Sequence, residues 1–152
     1  MKLITQLLYL IILFINVISC QQQKGLFIDL EGKVINDTAK DMNTAPEIVE
    51  GIKSICLRVR SKAPMAKIVL MQIMPRGEMP DNPIRILINE TNQILKKFAI
   101  ENNITLLDIT SEMLSSEGVL TKELTFDFCH PTDEGYKIWG EALLPFIDSI
   151  NY

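Results

Sequence analysis

Two hydrophobic periods alternate along the middle and end of this chain. Between Pro46 and Arg60, Ile48, Ile52, Ile55 and Val59 recur at helical spacing, with Thr44 placed to cap the helix and Pro46 in its first turn. From Lys67 to Met74 the run KIVLMQIM is nearly all apolar and stops at Pro75. Its length and branched residues predict a strand buried on both faces, as in a parallel sheet. Pro83 to Ile100 reads as a second helix, with Ile84, Leu87, Ile88, Leu95 and Phe98 facing inward, and Thr105 to Ile109 as a second strand. A short helical turn around Glu112 and a loop with Gly118 follow. The last helix is predicted from about Asp133 to Ile150, capped by Thr132 and kinked by Pro145. Its buried stripe is Tyr136, Trp139, Leu143, Phe146 and Ile150.

This order, with short links, predicts an α/β fold in which helices cover a parallel sheet. Ligand sites in such sheets lie beyond the C-terminal ends of the strands. Two segments fall there: Pro75-Arg76-Gly77, and the loop carrying Asp127 and His130. Upstream, Leu26 to Leu30 suits a strand and Glu31-Gly32 a turn, but Lys33, Asp37, Lys40 and Asp41 break the pattern and no firm element is assigned.

The first twenty residues read as lying outside the fold. Leu7 to Ile15 is an uninterrupted apolar run, within the ~7–15 residues of a signal-peptide core and short of the ~20 needed to span a bilayer. Val17-Ile18-Ser19-Cys20 resembles a bacterial lipobox, in which the cysteine is lipidated and becomes the new N-terminus. The competing reading is an ordinary signal peptide with a chance cysteine. The expected division is a leader over 1–19, a tether and poorly matched segment over 20–43, and a domain over 44–152. The expected location is the bacterial cell envelope after export, with the membrane reached through a lipid anchor at Cys20.

Composition narrows the partners. The chain has 152 residues, room for one domain, and 47% of them are apolar, enough for a core. Lys plus Arg number 15 against 19 Asp plus Glu, which argues against a nucleic-acid partner. Beyond Cys20, Cys56 and Cys129 either pair in an exported chain or stay as buried thiols, and the second is favoured. With one histidine and no Cys-x-x-Cys spacing, a zinc site is not expected.

The informative stretch is Phe126-Asp127-Phe128-Cys129-His130-Pro131. A carboxylate three residues before a histidine can accept from one ring nitrogen. That fixes the tautomer and leaves the other nitrogen as a base. The plainer alternative is that both residues merely cap the following helix.

Three stretches together resemble the SGNH/GDSL hydrolases, particularly the branch of platelet-activating-factor acetylhydrolase-like acetylesterases. The first is Glu47 to Ile52 followed by Ala66 to Glu78. The second is Leu106-Leu107-Asp108-Ile109. The third is Asp127 to Pro131 followed by Glu134 to Trp139. The resemblance implies a three-layer, flavodoxin-like sheet with helices on both faces. It also implies acyl transfer through serine, histidine and aspartate, with His130 and Asp127 in the last two roles. No metal or cofactor is implied. The substrate would be a small acyl ester or an acetylated glycan.

The resemblance is incomplete. The sequence contains no Gly-Asp-Ser and no Gly-x-Ser-x-Gly, so the nucleophile is unassigned. Where the family shows Gly-x-Asn, this chain has Val34-Ile35-Asn36, which makes Asn36 the candidate oxyanion asparagine and an ordinary turn residue its alternative. The fold therefore reads as truncated in its N-terminal half, and the alternative function is an inactive SGNH-like envelope lipoprotein with a binding role. A missing half-sheet would leave an open strand edge and invite self-association. A receiver-type module is a weaker reading, since Asp29 alone makes no acidic cluster. Arg76 reads as a solvated loop residue more than a substrate contact, Asn89 and Asn92 as surface, Asp108 as a partner for loop amides, and Trp139 as core.

Overall fold

The structure is a computed structural model that describes the backbone of Leu10–Leu13, Leu26–Ile28 and Val34–Asn36, and residues 43–148 with their side chains. Eight elements follow in order: β1 (Leu10–Leu13), β2 (Leu26–Ile28), β3 (Val34–Asn36), α1 (Ala45–Lys62), β4 (Lys67–Met71), α2 (Pro83–Glu101), β5 (Thr105–Leu107) and α3 (Asp133–Asp148).

α1 begins where the cap chemistry predicts. The Thr44 amide donates to Glu47 Oε2 at 2.7 Å, and the Thr44 hydroxyl donates to the same oxygen at 2.8 Å. These bonds hold the Glu47 carboxyl below its ordinary pKa, the backbone bond contributing most. α2 begins at Asn82, whose side chain accepts from the Ile84 amide at 3.0 Å, with Pro83 at the first helical position.

β4 is the middle strand of a three-stranded sheet ordered β1-β4-β5, parallel throughout. Its two faces feed two cores, as period-2 alternation requires. Ile68 and Leu70 pack with Val49, Ile52 and Cys56 of α1 and Ile88, Leu95 and Phe98 of α2. Val69 and Met71 pack with Leu107, Ile109, Met113 and Leu143, backed by Ile138, Trp139, Ala142 and Phe146. Helices α1 and α2 thus cover one face and α3 the other, giving the expected three layers.

Leu10–Leu13, within the segment expected to be a leader, pairs in parallel with Lys67–Leu70. A short apolar run satisfies the requirements of a buried strand as well as those of a leader core, and periodicity alone cannot separate them. The predicted strands at Lys67–Met74 and Thr105–Ile109 end early, at Met71 and Leu107. Tyr136, assigned to the buried stripe of α3, is 55% exposed, and Gly135 is buried in its place. Pro145 does lie inside α3. β2 and β3 form an antiparallel pair of their own, with Phe27 opposite Ile35.

Candidate active site

The site grows from the turn between Thr125 and Pro131, which form an isolated antiparallel bridge. The Phe126 amide donates to the His130 carbonyl at 3.1 Å, and the Thr132 amide to the Leu124 carbonyl at 2.9 Å. These bonds close the five-residue turn 126–130. Phe128 sits at its tip with φ 61°, a left-handed conformation uncommon for a bulky residue. The Phe128 carbonyl accepts from the Gly77 amide at 2.9 Å. Gly77 lies in the segment leaving the C-terminal end of β4, so the turn is fastened to the rim where the sheet topology predicts a ligand site.

Inside this turn Asp127 and His130 meet as expected. His130 Nδ1 is 2.7 Å from Asp127 Oδ2. An ionised carboxylate can only accept, so Nδ1 carries the proton, and in the neutral ring Nε2 is then the nitrogen with the lone pair. The other oxygen, Oδ1, accepts from the His130 amide at 2.8 Å and the Cys129 amide at 3.1 Å. The His130 amide does most to hold the Asp127 carboxyl below its ordinary pKa; burial opposes it, and the imidazole and the Cys129 amide add smaller lowering effects. Phe126 stacks on the imidazole with centroids 5.5 Å apart and planes 14° apart. The side chains of His130 and Asp127 are 49% and 38% exposed, so the pair lies at the surface of the turn.

The helix after the turn is capped as predicted: Thr132 Oγ1 accepts from the Gly135 amide at 3.3 Å. The cap and the pair are made by different residues. The alternative in which Asp127 and His130 serve only to cap α3 therefore has no support among the described hydrogen bonds.

Other residues fall less as expected. Arg76 is 6% exposed, and Asn92 is 7% exposed. Both were read as solvent-facing. Asn92 instead bonds both backbone groups of Ile73, accepting from its amide at 2.9 Å and donating to its carbonyl at 2.8 Å. Asp108 does serve a loop amide, accepting from Thr110 at 2.9 Å. Asn36 is the last residue of β3, paired with Leu26 in register, rather than a turn residue. Cys20 lies outside the described residues. Cys56 and Cys129 are both buried and do not form a disulfide, and burial raises the Cys56 pKa. Asp127, Cys129 and His130 bring their donor atoms within 4.8 Å of one another, the one such group among the described residues. Both Asp127 oxygens and the His130 Nδ1 are already engaged in hydrogen bonds, so the arrangement reads as an acid–base pair before it reads as a metal site.

Two features went unseen in the sequence. Arg85 is buried on α2, and its guanidinium meets three backbone carbonyls. Its place on the stripe Arg85, Ile88, Asn92, Leu95 was the available signal. A cavity of about 400 Å³ also opens at the opposite end of the sheet, lined by Arg60, Lys67, Asn103, Thr105 and Phe146 among others. It is remote in the fold from the Asp127–His130 turn and plays no part in that chemistry. Among the described residues no serine is hydrogen-bonded to His130, and Ser54, on α1, donates to the Glu50 carbonyl.

Comparison with known proteins agrees with this geometry. The model of the GDSL-like lipase/acylhydrolase family matches residues 35–138. Platelet-activating factor acetylhydrolase IB subunit alpha2 of Rattus norvegicus is 40% identical over 98 residues, covering 62% of this chain and 41% of that protein. This chain therefore spans about two fifths of the length of the curated relatives it matches. Among solved structures, a GDSL-like lipase from Bacteroides thetaiotaomicron superposes with a TM-score of 0.61 at 23% identity, over 71% of this chain and 54% of the other. A variant of an acetyl-xylooligosaccharide esterase from Geobacillus gives 0.58 at 22% identity, over 70% and 48%. At such identities these two likenesses speak for the fold. Taken with the match over residues 35–138, they place the chain in the GDSL-like lipase/acylhydrolase family.

Proposed function

We propose that this protein carries the acid–base half of a Ser-His-Asp esterase site, for hydrolysis of acetyl or other short acyl esters. The observation that carries this reading is the 2.7 Å contact between His130 Nδ1 and Asp127 Oδ2 in a half-exposed imidazole whose Nε2 is not used by that contact. In the reaction Nε2 takes the proton of a serine hydroxyl as its oxygen bonds the ester carbonyl carbon. The imidazolium formed is stabilised by Asp127 and returns the proton to the departing alkoxide. Water then repeats the sequence to release the acid and regenerate the serine. The acetyl-xylooligosaccharide esterase with the same fold makes an acetylated glycan one substrate class, and the platelet-activating factor acetylhydrolase relatives make another small acetyl ester the second. Asn36 is the residue proposed for the oxyanion. One such donor is worth roughly 10²–10³ in rate because it is aimed at charge that develops in the transition state.

The absence of Gly-Asp-Ser favours a second reading: an inactive SGNH-like lipoprotein, anchored through Cys20 in the cell envelope, that binds acylated ligands. Among the described residues no helix is long and apolar enough to cross a membrane. A fluorophosphonate probe with peptide mapping separates the two. Labelling of a serine that is lost in His130→Ala supports the esterase. No labelling, together with no p-nitrophenyl acetate hydrolysis above that of His130→Ala, leaves the binding role.

A further inference from the structure

Arg85 is only 2% exposed and has no carboxylate partner among the described residues. Its charge is met by carbonyl oxygens alone. Nε donates to the Arg76 carbonyl at 2.9 Å, Nη1 to the Gly118 carbonyl at 3.0 Å, and Nη2 to the Gly77 carbonyl. A buried cation is costly, so one held only by backbone must fix that backbone in return. Arg76 and Gly77 belong to the segment leaving β4, and Gly118 to the loop before the Asp127–His130 turn. The Leu120 amide adds a bond to the Glu78 carbonyl at 2.9 Å, joining the same two segments.

Gly77 passes this constraint on. Its carbonyl faces Arg85, while its amide donates to the Phe128 carbonyl between Asp127 and His130. Gly77 has φ 74°, and a Cβ there would run into the Asn82 side chain that caps α2. The peptide can therefore neither turn freely nor accept a larger residue. We propose that Arg85 is a positioning residue for the Asp127–His130 pair, acting through Gly77 and Phe128. This rests on the reading of that pair as the acid–base element of the site. A lysine cannot replace it, because one ammonium cannot address three carbonyls in the fixed fork that a guanidinium provides.

Because His130 is the single histidine of the chain, its imidazole gives one unambiguous set of nitrogen and carbon NMR signals. In the wild-type protein these should show the Nδ1–H tautomer and a protected Nδ1–H proton. Arg85→Lys and Arg85→Met should lose the tautomer bias. They should also speed exchange of the His130 and Cys129 amides by about tenfold, the scale of one charge-assisted hydrogen bond. Ile52→Ala, which weakens the core away from this segment, should leave the imidazole signals in place. If folded Arg85→Lys keeps the wild-type tautomer and exchange rates, the positioning role is overturned. If wild type itself shows no Nδ1–H bias, the acid–base reading fails instead. Should neither Arg85 variant fold, native-state exchange on wild type decides. The Gly77, Cys129 and His130 amides should open together, and independent opening of Gly77 overturns the proposal.

Discussion

Replacing Asn92 with alanine should destabilise the protein by about 2–6 kcal/mol. Ile73 has just left β4, where the ladder to β5 ends, and both of its backbone groups turn to Asn92 at 2.9 and 2.8 Å. Truncation strands a buried N–H and a buried C=O, each costing about 1–3 kcal/mol when unsatisfied. Entry of a water into the space would bring the loss toward the lower figure. Asn92→Asp is the sharper perturbation, since it hardly changes volume. One carboxylate oxygen can still accept from the Ile73 amide, but the other would face the Ile73 carbonyl and repel it. Burial and that carbonyl both disfavour the charged form, so the folded-state pKa of the new group should lie above the unfolded value of about 3.9. A raised pKa means that stability is retained below the unfolded value and lost as pH rises through the folded one. The assay is urea unfolding of wild type and both variants at pH 3.5 and 7, with the m-values compared. Asn92→Asp should lie close to wild type in acid and well below it at neutral pH. A loss under about 1 kcal/mol for Asn92→Ala, or an equal loss for Asn92→Asp at both pH values, would show that the amide is not bridging Ile73 as described.

Two glycines should respond in opposite directions to alanine. Gly51 is exposed in mid-α1 with nothing within 4 Å of a new Cβ, so Gly51→Ala should raise stability by about 0.5–1 kcal/mol. At Gly135 a Cβ would meet the Leu124 carbonyl and lie 3.1 Å from Pro131 Cβ, so Gly135→Ala should cost about 1–3 kcal/mol in the same melts and shift the His130 signals. Because the Asp127 pKa is lowered in the folded state, its contribution is present above the unfolded value and fades as pH falls through the folded one. The stability gap between wild type and Asp127→Asn should therefore narrow from pH 5 to pH 2, and a constant gap would contradict the shift. Cys56 and Cys129 should resist iodoacetamide in the native protein and label fully in urea, read by peptide mass spectrometry. Rapid native labelling of Cys56 would conflict with its burial.

Much of the α/β order was legible because it rests on long periodic segments. α1, α2 and β4 carry apolar residues whose spacing admits one reading, and the Thr44 and Thr132 caps marked helix starts to within a residue. The Asp127–His130 contact was legible too, because it is made within three residues of chain and needs no distant partner. What escaped were polar residues with distant backbone partners. Asn92 and Arg85 share the inward stripe of α2 with Ile88 and Leu95, but their partners lie 19 and up to 33 residues away. No local pattern announces an unpaired carbonyl at the end of a strand. Tyr136 failed for a related reason: the start of α3 lies so close to the Leu124 carbonyl that Gly135 takes the inward position there, while Trp139, Leu143 and Phe146 still face the core. The run Leu7 to Ile15 was ambiguous in principle, since apolarity alone suits both a leader and a strand.

That last ambiguity has a consequence for how the protein would mature. The backbone groups of Leu10–Leu13 close one flank of β4 from Lys67 to Leu70. A peptidase cutting ahead of Cys20 would carry this strand away and bare a row of amides and carbonyls along the middle of the core. Secretion and sheet closure would then compete for the same four residues. A chain that had lost them would have to borrow a strand from elsewhere, whether from its own N-terminal remainder or from a neighbouring molecule.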